Sequence, residues 1–495
     1  MRRNLRWATA TTVLLAGCHD LGNSPALPSG VQDPATYNTE AGALAFADGT
    51  RTLFKFALSR YLENASQLTD EVTLVGASRG GAIPDLDRRA DVELEDLYGK
   101  LAQARGQAHL TRGALQRYGS TLPPWHLAEM YAIEGYTELL LADLYCSGIP
   151  LSTVDYDGDF TPAPGSSTGE VYRQAAVLFD TAASLAGGND SVATFARVGW
   201  GRALLAMGLP DSAARVVSLI DDISHYVIRV HVGRHDNGTA SAEFLGGSES
   251  DREGGTGLPY LSSLDPRTWG FPVQACASPI NCWQLIIPEK YRSVVSNDSG
   301  PVAVASGVEA RLIEAEADLR SGGTQWLLIL NRLRTDGTFT TATRSDIPGV
   351  SPGPAGYEDT TWGPGTGIGM IAPSVLARTT PRCEQGDGVN PPPPCSDTVW
   401  YRGLAPLTDP GASLSGQAAI DARVDLLFRE RAFWLFITGH RQGDLRRLIR
   451  QYGRLPNSVY PTGSYGNGLE YGSTVVLTVP EQSNPLYEGC INHGA

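Results

Sequence analysis

Apolar residues recur at helical spacing through much of the chain, and this period constrains the fold more than any other feature. In the stretch HLAEMYAIEGYTELLLADLY, apolar positions such as Leu127, Met130 and Leu139 alternate with acidic ones such as Glu134. Residues three and four apart share one face of a helix, so the pattern predicts an amphipathic helix. Similar patterns predict helices over about 40–62, 91–118, 168–186, 192–207, 211–222, 302–321, 324–335 and 417–450. The fold is therefore predicted to be mainly α.

Small residues mark close helix pairs within this set. The stretch ARVGWGRALLAMGLPDSAARVV places Ala203 and Ala206 on one helix and Ala213 and Ala214 on the next, with a turn between them. Small side chains let paired helices approach closely, and such units resemble tetratricopeptide repeats, which stack to bury a shared core. The units are degenerate and scattered, so a plain solenoid is not predicted.

Two regions carry a different pattern. Many of the 56 glycines and 32 prolines fall in residues 233–300 and 336–416, where no helical or strand period is visible. Loops of this length in a compact protein are functional or disordered. Disordered segments are poor in aromatic residues, whereas these regions carry Trp269, Trp283, Trp362 and Trp400. We therefore predict ordered binding loops.

The amino-terminal residues MRRNLRWATATTVLLAGC have the order of an export signal. Three arginines precede an apolar run that is too short to span a bilayer, which needs about 20 residues. The end, LLAGC, resembles the lipobox of bacterial lipoproteins, in which the cysteine becomes the lipid-bearing amino terminus. We predict a signal peptide over 1–17, lipidation at Cys18, a flexible tether over 18–36 and a single domain over 37–495.

The predicted domain has helical repeats over about 40–222 and 302–335, the loop-rich regions between and after them, and closing helices over about 417–450. The chain is acidic, with a formal net charge of −14. Removing residues 1–17 takes three of the 39 basic residues and none of the 53 acidic ones, which leaves −17. Nucleic acid and anionic lipid headgroups repel such a surface.

Seven cysteines fit an oxidising compartment. With Cys18 lipidated, six remain, and two pairs lie close in sequence: Cys276 with Cys282, and Cys383 with Cys395. Cys146 and Cys490 are left to pair across the fold, although six cysteines allow 15 connectivities. No CxxC metal spacing occurs.

Several motifs, in order along the chain, resemble the SusD/RagB family of nutrient-binding outer-membrane lipoproteins. The segment ERAFWLFITGHRQGDLRRLIR has the spacing of the family's closing signature, and EARLIEAEADLRSGG resembles its long central helix. The stretches LNRLRTDG, YTELLLADLYCSGIPLS, SLDPR and YPTGSYGNG resemble further family segments. Trp434 and Thr438 depart from the pattern, since the family commonly has glutamates there.

The resemblance implies a mainly α, tetratricopeptide-like scaffold, a right-handed superhelix with long loop-rich insertions that carry the ligand site. It also implies a nutrient ligand, expected to be an oligosaccharide, and delivery to a TonB-dependent SusC-like transporter in the outer membrane, with the protein facing outside. Tyr260, Trp269, Trp362 and Trp400 are the expected ligand-binding residues, because aromatic rings suit the C–H face of a sugar. The loop around Arg79 is the next candidate.

The arginines near the carboxyl terminus are expected to be structural. Arg441, Asp444 and Arg447 lie three residues apart and so share one helical face. The planar fork of arginine suits partly buried carboxylates from other helices. We predict that these charges form ion pairs that join helices.

Catalytic and metal-binding motifs are weak. The stretch GASRG, residues 76–80, matches the nucleophile elbow with Ser78 as nucleophile, but Pro84 follows and no alternating strands and helices support it. His225, His231 and His235 cluster without a completing ligand. Asp251 and Glu253 could hold calcium, although most such pairs are simply solvated. We assign no catalytic residue, metal or cofactor. A serine hydrolase using Ser78 and a repeat scaffold that binds only protein remain the alternatives.

Overall fold

The computed structural model describes residues 38–69, 71, 92–221, 224–230, 270–278, 281–288, 300–335, 406–460, 464–465, 469–470 and 475–480. Helices dominate these residues, which confirms the prediction of a mainly α fold. The helices are α1 (Glu40–Leu68), α2 (Val92–Tyr118), α3 (Trp125–Leu144), α4 (Thr168–Leu185), α5 (Asp190–Ala206), α6 (Pro210–Val217), α7 (Gly307–Arg320), α8 (Gln325–Thr335), α9 (Gly416–Trp434), α10 (Arg441–Tyr452) and α11 (Pro456–Val459).

Local sequence signals set where several helices begin. Ser167 and Glu170 form a reciprocal capping box at the start of α4. Asn189 accepts a hydrogen bond from the backbone of Val192 at the start of α5, and Ser306 does the same for α7. Each cap satisfies a backbone N–H that the first helical turn leaves unpaired.

Consecutive helices pack as neighbours, from α1 on α2 through α4 on α5 to α5 on α6, in the tetratricopeptide-like manner that the sequence predicts. Gly199 on α5 shows how close the approach is. A Cβ at this position would lie 2.3 Å from the ring of Phe179 on α4. A side chain there would therefore force the two helices apart.

The described core falls into three apolar clusters. The largest runs through α1 to α6 and includes Phe54, Tyr136, Phe179 and Phe195. A second is built from α7, α8 and α9 around Leu312, and a third lies between α9 and α10. Trp326 and Trp434 are 3% exposed and belong to the second cluster.

The strands are short or belong to the regions between helices. They are β1 (Ile149–Pro150), β2 (Thr153–Val154), β3 (Phe160–Thr161), β4 (Gly165–Ser166), β5 (His225–Val230), β6 (Gly270–Ser278), β7 (Asn281–Pro288), β8 (Gly300–Ser306), β9 (Ser464–Tyr465) and β10 (Leu469–Glu470). Within the described residues, the five strand pairs are all antiparallel: β1 with β4, β2 with β3, β5 with β8, β6 with β7, and β9 with β10.

Three sequence predictions need correction. Residues 302–306 of the predicted helix 302–321 belong instead to β8, in which Val302 pairs with Ile228 of β5. Ser306 caps a helix that starts only at Gly307. The predicted helical stretch 417–450 is divided between α9 and α10 by a turn in which Gly439 has φ 80°. Helix α6 ends at Val217, earlier than the predicted 222.

The region 233–300, which was predicted to be loop-rich, contains the hairpin of β6 and β7. The register of this hairpin places Cys276 opposite Cys282. None of the described helices is long and apolar enough to cross a membrane.

Candidate functional site

Charged side chains from five helices meet inside the scaffold. We call this set the buried ionic cluster: Asp143 on α3, Arg202 on α5, Glu309 and Glu316 on α7, Arg431 on α9, His440 in the turn before α10, and Asp444 and Arg447 on α10. Every member is at most 8% exposed. Buried charges are costly unless they are paired and hydrogen-bonded, so the geometry of each pair matters.

Asp444 is held by two arginines. Arg431 donates from Nε and Nη2 to the two carboxylate oxygens, at 2.8 and 2.9 Å, and Arg447 donates from Nη2 at 2.8 Å. Burial alone would raise the pKa of Asp444, but attraction to Arg431 and Arg447 and their hydrogen bonds outweigh it. The pKa of Asp444 is therefore held well below its usual range, and the carboxylate stays ionised.

Glu316 also contacts the two arginines that hold Asp444, Arg431 and Arg447. Its Oε1 accepts a short hydrogen bond from Arg447 and one of 2.7 Å from the hydroxyl of Tyr452. Its Oε2 lies 3.9 Å from Nη1 of Arg431. The central helix α7 is thereby tied to both α9 and α10.

Asp143 and Glu309 extend the cluster towards the repeat helices. Asp143 accepts from the hydroxyl of Tyr172 at 2.8 Å and from Arg202 at 3.3 Å. Burial raises the pKa of Asp143, and attraction to Arg202 opposes that effect. Glu309 lies 3.5 Å from Arg202 and 2.9 Å from Nε2 of His440, so α3, α5 and α7 meet the turn before α10 here.

The prediction for Arg441, Asp444 and Arg447 holds for two of the three residues. Asp444 and Arg447 pair as the spacing suggests, but Arg441 makes no ion pair with a described residue, although it is only 7% exposed. Asp444 takes its three hydrogen bonds from Arg431 and Arg447 instead. Sequence reasoning also did not single out Asp143, Arg202 or His440, which carry much of the cluster.

Chemically, the cluster pairs opposite charges. Its members come from helices far apart in sequence, so their attraction and hydrogen bonds hold the repeat helices, the central helix and the closing helices in register. Among the described residues, no group of three histidine, cysteine or acidic side chains is arranged to hold a metal ion. His231, His235, Asp251 and Glu253 lie outside those residues.

The two long loop-rich regions, which we call the first and second insertions, lie between β5 and β8 and between α8 and Leu407. Residues that flank both insertions belong to the second apolar cluster. The region after β5 and before β8 begins and ends on paired strands, because Val230 stands opposite Gly300 in their register. Val227 of β5 and Ala303 of β8 both pack in this cluster. The first insertion therefore leaves and re-enters the scaffold at one place.

The second insertion is closed in a similar way by side chains. The amide of Asn331 on α8 donates to the carbonyl of Leu407 at 3.0 Å and accepts from its N–H at 2.6 Å. Arg334, also on α8, donates to Glu430 on α9 at 2.7 Å. Leu333 and Leu407 pack in the same apolar cluster as Val227 and Ala303. Both insertions thus start from residues of the same apolar cluster.

The residues expected to touch ligand, Tyr260, Trp269, Trp362, Trp400 and Arg79, lie outside the described part of the chain, as do Ser78 and the predicted lipidation site Cys18. Cys383, Cys395 and Cys490 also lie outside it. Cys146 is disulfide-bonded and buried after α3. Its N–H donates to the carbonyl of Leu477 at 2.8 Å, so the carboxyl-terminal segment passes beside it.

No protein-family model and no curated protein sequence matches the chain. Solved structures do match over most of its length. A surface glycan-binding protein A from Bacteroides uniformis has a TM-score of 0.55 and 12% identity, covering 91% of this chain and 99% of that one. A SusD-like protein from Bacteroides fragilis has a TM-score of 0.53 and 9% identity, with coverages of 93% and 98%.

A SusD superfamily protein from Bacteroides thetaiotaomicron gives a TM-score of 0.52 at 13% identity, covering 92% of this chain and 98% of the other. At sequence identities this low, the structural likeness shows the fold alone. The coverage shows that the likeness extends over nearly all of each chain. The chain therefore has the fold of SusD-like proteins, which confirms the SusD/RagB resemblance that its motifs predict.

Proposed function

We propose that this protein is an outer-membrane lipoprotein that binds a glycan and delivers it to a TonB-dependent SusC-like transporter. The observation that carries the proposal is the common root of the two long insertions. Val227, Ala303, Leu333 and Leu407, which flank the insertions, pack in one apolar cluster. Two loop regions that start from one apolar cluster can form one composite site, with aromatic residues contributed by each.

The chemistry of those loops suits a sugar. Tryptophan and tyrosine offer broad apolar faces with a polar edge, and they lose little side-chain entropy on binding. Tyr260 and Trp269 belong to the first insertion, and Trp362 and Trp400 belong to the second. Binding residues on loops that a rigid scaffold positions are a common arrangement. One structural neighbour is itself named a surface glycan-binding protein, which supports a glycan as the ligand class.

The anchor and the partner follow from the sequence and the resemblance. A lipid on Cys18 would hold the protein at the outer membrane, and residues 18–36 would let the domain move over its receptor. The acidic mature chain argues against nucleic acid as a partner. A transporter remains the partner that the SusD/RagB resemblance implies.

The experiment is a binding titration with the soluble mature domain, lacking the lipid, against glycans selected from an array. Alanine variants at Trp269 and Trp362 probe one aromatic residue from each insertion. Because stacking on an aromatic ring contributes on the order of 1 kcal/mol or more, each change should weaken binding of the same glycan about fivefold or more.

Phe160→Ala is the matched control, because Phe160 is an aromatic residue that is 64% exposed on β3, in the scaffold rather than in an insertion. It should bind like the parent protein. If Trp269→Ala, Trp362→Ala, Tyr260→Ala and Trp400→Ala all stay folded and bind normally, the composite site is wrong, and the loop around Arg79 should be tested next.

The two alternatives give different results. A hydrolase acting through Ser78 would be labelled by a serine-reactive fluorophosphonate and would lose that label in Ser78→Ala. A scaffold that binds only protein would bind no glycan on the array.

A further inference from the structure

The buried ionic cluster lines a small, partly open cavity. Its volume is about 20 Å³, and its polar lining is formed by Asp143, Arg202, Arg431, His440, Asp444 and Arg447, with Leu139, Leu205, Ala206 and Gly443 completing the wall. A polar cavity needs roughly 10–15 Å³ to hold one water molecule. This cavity is therefore large enough for one water and too small for any organic ligand.

Four polar atoms in and around this cavity lack a hydrogen bond. Two belong to lining residues, Nη1 of Arg431 and Nε2 of His440, whose side chains are both 2% exposed. The other two are Oε1 of Glu309 and Oε2 of Glu316, on residues that contact the lining. His440 and Glu309 are 2.9 Å apart, but the direction of their contact does not suit a hydrogen bond.

We propose that this cavity is a binding site for one ordered water molecule, which completes the ionic cluster. Nη1 of Arg431 and Oε2 of Glu316 are 3.9 Å apart, beyond a direct hydrogen bond. A single water can accept from the first and donate to the second, and His440 offers a further partner. Buried waters make about three such bonds to groups that would otherwise be unsatisfied.

The mixture of donors and acceptors among these four atoms favours water over an ion as the occupant of the cavity. An anion would satisfy the donor of Arg431 but would face the carboxylates of Asp143 and Asp444, and a cation would satisfy glutamate oxygens but would face three guanidinium groups. Water can donate and accept at once, which matches a mixed set of donors and acceptors.

The direct test is a crystal structure of the mature protein, grown once in chloride and once in bromide. The proposal predicts a compact density peak within hydrogen-bonding distance of Nη1 of Arg431 and Oε2 of Glu316 in both salts. It also predicts no anomalous bromine signal at that peak. An anomalous signal would identify an anion site, and an absence of density would identify a dry cavity, so either result overturns the proposal.

A measurement in solution provides an independent check on the same point. Ligands that bind only the folded state raise the melting temperature with their concentration. If the cavity holds water, replacing gluconate by chloride at constant ionic strength should shift Tm by less than about 1 °C, because no chloride binds. A Tm that rises steadily with chloride concentration, together with an anomalous bromine signal in the cavity, would show that the cavity binds an anion and not water.

Discussion

Replacing Asp444 by asparagine tests whether the buried ionic cluster holds the helices together. The asparagine keeps the shape of the side chain but removes the charge that accepts three hydrogen bonds from Arg431 and Arg447. Arg447 would keep Glu316, whereas the nearest carboxylate to Arg431 would be Glu316 at 3.9 Å. Removing one partner of a buried pair costs about 3–5 kcal/mol, because the other charge stays buried.

The expected change in melting temperature follows from the length of the protein. At an unfolding entropy of about 2.1 cal/mol/K per residue, a domain of this size has roughly 1 kcal/mol/K, so Asp444→Asn should lower Tm by about 3–5 °C. Differential scanning calorimetry and urea unfolding would measure the change. Asp157→Asn is the matched control, since Asp157 makes a two-pronged pair with Arg117 at 2.6 and 2.7 Å but is exposed.

Exposed pairs are screened by solvent, so Asp157→Asn should leave Tm almost unchanged. The dependence of stability on acidic pH gives a second test of the same role. Because the pKa of Asp444 is depressed in the folded state, its contribution is present above the unfolded pKa of about 3.9 and is lost as pH falls further. The difference in unfolding free energy between the parent protein and Asp444→Asn should therefore become smaller below about pH 4. Equal Tm shifts for Asp444→Asn and Asp157→Asn would refute the structural role of the cluster.

Cys18→Ala should move the protein from the membrane fraction to the soluble fraction, because a lipid supplies about 0.8 kcal/mol per buried CH₂; a variant that still pellets without its receptor would contradict the anchor. Glu138→Gln should flatten the pH dependence of stability, because burial raises the pKa of Glu138 from 4.5 to about 7, against the opposing attraction of Arg105. The stability that the protonated Glu138 contributes is fully present below pH 4.5 and is lost as the pH rises through about 7. Urea unfolding should therefore show a fall in the free energy of unfolding between these pH values for the parent protein and a smaller fall for the variant. Cys146→Ser should lower the free energy of unfolding by about 2–5 kcal/mol, since Cys146 is disulfide-bonded, and thiol titration of the denatured, unreduced parent should find no free thiol.

The helices could be predicted because their signal is local. The period of apolar residues placed α3 and α4 within two residues of their observed bounds, since burial of one face is what the period records. The start of α7 was missed although a local signal existed. Ser306 and Glu309 have the spacing of a helix cap, and Val302 and Val304 alternate as a strand does.

The break between α9 and α10 carries no such signal. Apolar residues continue through FWLFI, and the turn depends on distant contacts. Ile437 has φ 50°, which a β-branched residue rarely adopts, and its N–H donates to Glu71 at 2.9 Å. Gly439 packs against Tyr61, where a Cβ would come within 3.0 Å of the ring. These partners are hundreds of positions away in the chain, so local sequence cannot identify them.

The buried ionic cluster shows the same limit for the site. The spacing of Asp444 and Arg447 predicted one of its pairs, because both residues lie on one helix. Arg202 and His440 meet through Glu309, and these three residues belong to separate elements. The available clue was compositional: Asp143 and Glu138 stand in a helix that is otherwise rich in leucine, where a charge must find a partner.

The single amide of Asn331, which bonds both backbone groups of Leu407, has an evolutionary consequence. Because this clamp and the pairing of β5 with β8 fix where each insertion starts and ends, the inserted sequence can change without disturbing the helices. Doubling the length of a flexible loop costs only about 0.6 kcal/mol of closure entropy. Each insertion can therefore be exchanged as a unit, so the length and sequence of the insertions can diverge between proteins that keep the same helical scaffold.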